Sequence, residues 1–171
     1  MHNLFRAAIT AFAIICATSA PSSADELDIP TQTVVLTVSG DITAANVDDT
    51  AQFDLEMLMS LNPVTIETTT IWTEGEQIFE GVALKTLLER LEVTTGTVLA
   101  TAINDYTVEI PVTDAVVGGP IVAYLLNGET MSVRDKGPLW IVYPYDTSAD
   151  YRSEVIYSRS IWQLDRFEIV Q

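Results

Sequence analysis

Short segments in which apolar and polar residues alternate dominate this sequence. The pattern occurs at residues 34–38, around Ile66, at residues 108–110 and at residues 167–169. Because successive side chains of a β-strand point to opposite faces, the alternation predicts short strands with one buried face. A chain with several such segments has to bury them in a sheet, so we expect mixed or antiparallel β-structure.

A single strong helical pattern interrupts these strands between Gly81 and Gly96. Its leucines follow the i, i+3, i+4, i+7 spacing of one helix face: Leu84, Leu87, Leu88 and Leu91. A shorter helix is predicted over residues 55–61, with Asp54 as its N-cap. Strands outnumber helices, and the predicted fold class is therefore α+β, with one main amphipathic helix packed on the β-structure.

Turn residues indicate how neighbouring strands connect. Asn127-Gly128 lies between apolar residues 121–126 and residues 129–133, which is typical of a type I′ hairpin. A second hairpin is predicted at Asn104-Asp105. A further strand is expected at residues 139–143, followed by a loop that reaches Tyr151.

The first residues have the layout of a cleavable secretory signal. Arg6 precedes an apolar run at residues 7–17, and small residues follow before Asp25 and Glu26. Since Ser22 and Ala24 are the small side chains that a signal peptidase recognises, we expect cleavage after Ala24. The run is shorter than the about 20 residues that span a bilayer, which disfavours an uncleaved anchor. Lipid attachment at Cys16 is the other alternative.

The predicted organisation is a signal peptide at residues 1–24, a tether at residues 25–33 and a single domain at residues 34–171. The exported part would keep all 24 acidic residues of the chain but lose Arg6. Such an acidic protein is a poor partner for nucleic acid. Cys16 and His2, the single cysteine and histidine, would leave with the signal. Disulfides, zinc sites built on Cys or His, and Ser-His or Cys-His nucleophiles would then be excluded.

Two clusters are candidates for a binding site. The first contains cationic residues between positions 134 and 159: Arg134, Lys136, Arg152 and Arg159. They would form a positive pocket, or they would pair on a solvated face with the nearby acids Asp135, Asp150 and Glu154.

The second cluster consists of aromatic residues beside polar turns. Trp72 follows a threonine run, Tyr106 ends the segment Asn104-Asp105-Tyr106, and Trp162 follows Arg159. These side chains suit a flat heteroaromatic ligand, and the Asp105 carboxylate would accept hydrogen bonds from an amino-pyrimidinone edge. The alternative is that Trp140 and Trp162 belong to the core.

Five motifs occur together in a recognisable order. They are Phe79-Glu80-Gly81-Val82, Asn104-Asp105-Tyr106, Asn127-Gly128-Glu129, Lys136-Gly137-Pro138-Leu139-Trp140 and Arg159-Ser160-Ile161-Trp162. Over residues 66–170 the chain resembles the sulfite-oxidase-like, molybdopterin-binding domain family. This resemblance implies the fold of that family and a site for a pterin.

The chain departs from the catalytic members of that family. Their cysteine ligates molybdenum, but the segment where it is expected reads Thr68-Thr69-Thr70-Ile71-Trp72-Thr73. Lys136 stands where the family has a histidine that touches the cofactor, and Trp140 stands approximately where it has an arginine. These departures argue against oxidation by molybdenum.

Small exported proteins of this fold without the cysteine resemble periplasmic pterin-binding regulators of the PruR kind. That resemblance implies a non-catalytic protein of the periplasm that binds a reduced pterin without a metal. Its implied partner is the periplasmic domain of a membrane sensor or cyclic-di-GMP enzyme. The predicted pterin site comprises Trp72, Asn104, Asp105, Tyr106, Arg134, Lys136, Arg159 and Trp162.

Within that predicted site, Asp105 would meet the amino edge of the pterin, and Trp72 or Tyr106 would cover its face. Arg134, Lys136 and Arg159 would reach its oxygens and ring nitrogens. Two alternatives stay open: an oxidoreductase, or a subunit of one, that holds a molybdenum cofactor without a protein thiolate, and an interaction module that binds no small molecule.

Overall fold

A computed structural model describes residues 27–171. The signal-peptide prediction concerns residues 1–24, which lie outside the described residues. The strands of the structure are β1 (Val34–Gly40), β2 (Ala51–Asp54), β3 (Val64–Thr69), β4 (Glu76–Ala83), β5 (Thr97–Ala102), β6 (Thr107–Pro111), β7 (Ile121–Leu126), β8 (Glu129–Thr130), β9 (Leu139–Val142) and β10 (Trp162–Val170). The helices are α1 (Leu55–Ser60), α2 (Leu84–Arg90) and α3 (Glu154–Arg159).

All these strands belong to one sheet, whose main path runs β2-β1-β10-β9-β7-β4-β3. Strands β5 and β6 extend from β10, and β8 pairs with β7. β1 and β10 run parallel, whereas the other strand pairs are antiparallel. The predicted mixed, mainly antiparallel α+β architecture is therefore confirmed.

Local sequence explains where the helices begin and end. Asp54 caps α1, as predicted, since its side chain accepts a hydrogen bond from the backbone of Met57 at 2.9 Å. α2 buries Leu84, Leu87 and Leu88 but ends at Arg90, well before Gly96. α3 was not predicted. Ser153 begins it by accepting a hydrogen bond from the backbone of Ile156.

The hairpins have the expected turn chemistry. Asn127 and Gly128 both have positive φ, 52° and 84°, as a type I′ turn requires. The following strand β8 is shorter than predicted: it ends at Thr130, and a 3₁₀ turn begins at Val133. Strands β5 and β6 pair around Asn104-Asp105, so the second predicted hairpin is also confirmed.

The segment before β1 is irregular but attached to the domain. Leu27 is buried, and the Asp54 carboxylate accepts hydrogen bonds from the backbone of Thr31 at 2.9 Å and of Gln32 at 3.1 Å. The bond from the Met57 backbone and these further bonds hold the pKa of Asp54 below its ordinary value, although burial opposes the shift. The described part of the predicted tether is thus anchored to the cap of α1.

No helix within residues 27–171 is both long and apolar enough to cross a membrane.

Candidate functional site

An aromatic cavity of about 260 Å³ opens where three separate segments meet. Trp72 comes from the loop between β3 and β4, and Asn104 and Tyr106 come from the β5–β6 turn. The third segment joins the end of α3 to the start of β10, and it contributes Tyr157, Ser158, Ser160, Ile161, Trp162 and Gln163. We call this space the aromatic cavity.

Trp72 is the centre of the aromatic side chains. Its ring meets those of Trp140, Tyr145, Tyr157 and Trp162 edge to face, with centroids 5.5–6.2 Å apart. Trp140 is completely buried, as predicted for a core residue, whereas Trp162 is 36% exposed. Trp140 therefore lies in the core beneath the other indoles, whereas Trp162 is partly open to solvent.

Hydrogen bonds fix the loop that carries Trp72. The Trp72 backbone N–H donates to Thr70 Oγ1 at 3.0 Å, and the hydroxyls of Thr70 and Thr73 are 2.7 Å apart. At the start of the loop, Asp146 accepts hydrogen bonds from the backbone and hydroxyl of Thr69. These bonds, the backbone one foremost, lower the pKa of Asp146. The threonines of this segment thus position the tryptophan.

The β5–β6 turn presents an amide and a phenol to the cavity. Asn104 Oδ1 accepts a hydrogen bond from the backbone of Tyr106 at 3.2 Å, and the backbone of Ile103 donates to the Gln163 carbonyl at 2.9 Å. Tyr106 is 58% exposed. This turn is therefore tied to the third segment of the cavity.

Asp105 lies at the tip of the same turn and does not line the aromatic cavity. Its backbone is left-handed, with φ of 66°, and its side chain is 86% exposed. The carboxylate pairs with Arg166 of β10. The Asp105 carboxylate, which is predicted to meet a pterin edge, is engaged in this ion pair, and Asn104 and Gln163 are the amides that line the cavity.

A buried hydroxyl pair lies beneath the cavity. Tyr145 donates to Ser160 Oγ at 2.7 Å, and Ser160 donates to the carbonyl of Ile156 at 2.8 Å. Burial raises the pKa of Tyr145 to about 12, so its hydroxyl stays neutral at physiological pH. This pair supports the cavity floor and carries no charge.

Lys136 lies behind the wall of the cavity and is not part of its lining. Its Nζ is 5.5 Å from the centroid of Trp162 and 5.6 Å from that of Trp140, which is a cation–π geometry. Its carbonyl accepts a hydrogen bond from the Gln163 backbone at 2.9 Å. Lys136 therefore contacts Trp162, which lines the cavity, but does not line the cavity itself.

Arg159 and Arg134 also lie outside the aromatic cavity. Arg159 Nη1 donates to Asp114 Oδ2 at 2.9 Å, and Tyr143 donates to the same oxygen at 2.7 Å. Burial raises the pKa of Tyr143, with the Asp114 carboxylate adding to the shift. Arg134 is exposed.

The cationic cluster pairs with acids, as the second of its two predicted forms has it, but with acids other than the three named for it. Arg159 pairs with Asp114, and Arg152 approaches Asp146 at 3.9 Å. Over residues 27–171 no ion pair joins the cluster to Asp135, Asp150 or Glu154. None of the four cationic residues lines the aromatic cavity.

The sequence patterns missed Tyr157, Ser158 and Gln163, which line the cavity. For Tyr157 and Ser158 the sequence does contain a signal, namely Ser153. Ser153 is the N-cap of α3, and this helix brings both residues to the site. Gln163 has a left-handed backbone, with φ of 53°, directly after Trp162. No simple pattern predicts that conformation for a glutamine.

The donors near Trp72 do not suit a thiolate-held metal. Residues 68–73 offer threonine hydroxyls, and the chain between residues 27 and 171 has neither cysteine nor histidine. In that part of the chain no three acidic side chains come together as a metal-binding group. Residues 68–73 therefore offer molybdenum no thiolate, whereas aromatic walls with adjacent amides suit a flat heterocycle.

Residues 26–150 match the family described as the oxidoreductase molybdopterin binding domain, and the chain belongs to this family. The predicted sulfite-oxidase-like membership is thereby confirmed.

A solved structure of similar fold is the sulfane dehydrogenase SoxCD from Paracoccus pantotrophus. The identity is 16% and the TM-score is 0.58, so the likeness concerns the fold. The match covers 84% of this chain and 40% of that chain. No curated protein matches the sequence.

Proposed function

We propose that this protein binds a reduced pterin in the aromatic cavity, does not oxidise a substrate with molybdenum, and acts in the periplasm as a regulator of a membrane protein. One observation carries the proposal: Trp72, in the segment where the family has its metal-ligating cysteine, lines the cavity together with Trp162. A tryptophan in that segment supports binding of the ring and not coordination of the metal.

The cavity offers groups for the flat ring of a pterin and for its polar edge. Trp72, Tyr157 and Trp162 provide aromatic surface for the ring faces and edges. Asn104 and Gln163 provide amide groups for the edge, and Gln163 Oε1 is available because Nε2 is the atom that donates to the Val133 carbonyl at 2.7 Å. We therefore assign ring contacts to the aromatic residues and edge contacts to the amides.

Exposed apolar side chains near the cavity support a protein partner. Tyr106 and Trp162 line it and are 58% and 36% exposed, and the neighbours in sequence Ile71 and Ile103 are 61% and 42% exposed. Exposed apolar side chains beside a cavity are a feature of interaction sites. The proposed partner is the periplasmic domain of a membrane sensor or cyclic-di-GMP enzyme, which would contact the face that holds the pterin.

Purification from a host that makes the molybdenum cofactor tests the ligand. We expect a fluorescent pterin to be released on denaturation, with less than about one-tenth equivalent of molybdenum by mass spectrometry. Stoichiometric molybdenum would replace the proposal with the oxidoreductase alternative. Failure of every reduced pterin to bind the apoprotein at micromolar concentration would leave the interaction-module alternative.

The regulatory part needs a separate test. Crosslinking in intact cells, followed by mass spectrometry, should recover a membrane protein with a periplasmic domain, and the crosslinks should include residues near Ile71 and Ile103. The double variant Ile71→Ser and Ile103→Ser should lose the crosslink while retaining pterin. Crosslinks confined to surfaces remote from the cavity would contradict this part of the proposal.

A further inference from the structure

Strand β3 forms one edge of the sheet. It lies at the end of the main path, and among the described strands it pairs with β4 alone. In an antiparallel pair, residues that exchange hydrogen bonds with the partner strand alternate with residues whose backbone groups face away from it. Every second residue of β3 therefore directs its backbone N–H and C=O groups out of the sheet.

Two sets of hydrogen bonds show which residues these are. Ile78 lies opposite Glu67, and it turns its backbone away from β3: its N–H donates to Asn127 Oδ1 at 3.0 Å, and its carbonyl accepts from the Asn127 N–H at 2.7 Å. At the end of β3, the Thr69 N–H donates to Asp146 Oδ2 at 2.5 Å and not to β4. The backbone groups of Glu67 therefore point out of the sheet, as do those of the residue two positions earlier.

That residue is Thr65, and the outward groups of both residues are open. Thr65 and Glu67 are exposed, and over residues 27–171 no hydrogen bond engages their outward N–H and C=O groups. An extended peptide that joins a sheet needs such a row of donors and acceptors at alternate residues. This part of β3 can therefore accept a further strand.

The other edge strands of the sheet are short, covered or interrupted. In β2 the Asn46 side chain bonds both backbone groups of Gln52, each at 2.8 Å. α3 packs beside β6, which ends at Pro111, and β8 has only two residues. Since an open edge invites pairing with another chain, proteins usually protect it in such ways. The open stretch of β3 is the exception in this sheet.

The charge beside the open stretch is negative. Between residues 64 and 84 the sequence has Glu67, Glu74, Glu76 and Glu80 but no lysine, arginine or histidine. Glu80 lies opposite Thr65 and therefore shares the sheet face of Glu67. Over residues 27–171 no ion pair engages these glutamates. A strand added to β3 would thus place every second side chain on a face with two unpaired carboxylates.

This charge selects the kind of occupant. A second copy of the chain, paired through the same edge, would bring its own Glu67 to this one, and like charges on paired strands are unfavourable. A segment with lysine or arginine at alternate positions would meet opposite charge. Arg152 lies at the other end of the strand, 3.9 Å from Asp146, where β3 is already covered.

We infer that a partner protein adds an extended basic segment to β3 as a further strand. Its backbone bonds to Thr65 and Glu67, and its cationic side chains lie on the face of Glu67 and Glu80. The inference rests on the proposed function for the existence of a partner, and it adds the kind of segment that the partner contributes. β3 leads directly into the loop of Ile71, so this edge is continuous with the exposed side chains assigned to the partner.

A short peptide tests the edge directly. The probe is the acetylated peptide Lys-Val-Lys-Val-Lys, added to isotope-labelled protein and followed by nuclear magnetic resonance. We expect it to shift the amide signals of Thr65 and Glu67 most. The peptide Glu-Val-Glu-Val-Glu should bind about tenfold more weakly, and high salt should narrow this difference. Equal binding of the two peptides, or shifts that avoid β3, would overturn the inference.

Methylated peptides separate strand pairing from attraction between charges. One version of the basic peptide has N-methyl groups on its lysine backbone nitrogens, and the other has them on its valine backbone nitrogens. Both keep the full charge, but alternate residues face β3, so one version loses the donors that it needs and the other keeps them. We expect a difference of about tenfold between the two versions. Equal affinities would mean that charge alone holds the peptide and would overturn the inference.

Glu67→Lys is the variant that tests the charge. It should reverse the preference, so that the acidic peptide binds more tightly than the basic one. Glu168→Lys is the matched control, because Glu168 is also an exposed glutamate on a strand, but on β10, which is not a neighbour of β3. It should keep the preference for the basic peptide. A Glu67→Lys protein with an unchanged preference would overturn the inference.

Photo-crosslinking in cells connects the edge with the partner. A crosslinking side chain at Thr65 should capture the same membrane protein as one at Ile71, and Glu67→Lys should reduce the capture from Thr65. Capture from Ile71 alone would overturn this inference and leave the proposed function standing. Capture from neither position would overturn both the inference and the regulatory part of the proposed function.

Discussion

Trp72 and Trp162 meet edge to face with their ring centroids 5.5 Å apart, although they belong to distant segments of the chain. The first follows β3 and the second begins β10. Their contact forms one wall of the aromatic cavity. Occupancy of the cavity should therefore depend on both residues, and on the loops that hold them.

Replacement of Trp72 by alanine should weaken binding of a reduced pterin about tenfold or more. Stacking of a heterocyclic base on an aromatic side chain contributes about 1–3 kcal/mol, and this residue also contacts the other rings of the wall. Fluorescence titration measures the change. Ile71→Ala is the control, since Ile71 is 61% exposed and does not line the cavity. Equal losses in the two variants would point to a disturbed loop and not to ring contact.

Asn104→Ala should weaken pterin binding more than Asp105→Ala does. Asn104 lines the cavity, whereas the Asp105 side chain is 86% exposed and paired with Arg166. Exposed ion pairs contribute about 0–1 kcal/mol, so loss of that pair should alter the turn little. Titration of both variants with the same pterin decides the order. A larger loss in Asp105→Ala would mean that its carboxylate turns to the ligand on binding.

Asp54→Ala should lower the free energy of unfolding by about 1–2 kcal/mol. The carboxylate caps α1 and also holds the backbone at Thr31 and Gln32. Because its pKa is lower in the folded protein than in the unfolded chain, its stabilisation is present above the unfolded-state pKa and is lost as the pH falls through the folded-state pKa.

Urea unfolding at neutral pH and at successively lower pH measures this effect. The difference between wild type and Asp54→Ala should shrink in acid. Asp28→Ala provides the comparison, since Asp28 is an exposed acid on the segment before β1 that Asp54 holds in place. A difference that stays constant down to the acid end of the range would contradict the assignment.

Gly81→Ala should destabilise the fold by about 1–3 kcal/mol or more. A β-carbon there would lie 2.3 Å from the Val122 carbonyl oxygen and 2.7 Å from Ala123 Cα, both of them backbone atoms. Relief of that clash requires β4 to separate from β7. Thermal unfolding measures the loss.

Gly75→Ala is the matched control for steric conflict. A β-carbon at Gly75 meets nothing within 4 Å, although φ there is 68°. Its cost should be limited to the left-handed backbone, about 1–2 kcal/mol. A Gly81→Ala protein no less stable than Gly75→Ala would show that the strands adapt to the extra atom.

Local patterns predicted the fold better than the site. Alternation located strands such as β1 and β6, the Asp54 cap marked α1, and Asn127-Gly128 fixed a hairpin, because each depends on neighbours in sequence. The cavity depends instead on which distant loops meet. Tyr157 and Gln163 enter it through α3 and a left-handed backbone, and neither feature has a strong sequence signature.

The cationic residues show the same limit. Their grouping between positions 134 and 159 suggested one pocket, but backbone direction sends Lys136 behind Trp162 and Arg159 toward Asp114. Closeness of the cationic residues in sequence therefore did not predict that their side chains share one pocket. Side-chain direction at the end of a short helix is decided by tertiary packing.

The parallel pairing of β1 with β10 has a consequence for how the chain is made. Thr37 lies opposite Arg166 and Gly40 opposite Ile169, so the first strand finds this neighbour among the final residues of the domain. Closure of the sheet at its middle thus waits until β10 has left the ribosome, and contacts of such long sequence separation form slowly. A chain that lacks β10 would leave β1 without that support and expose the edges of both β5 and β9.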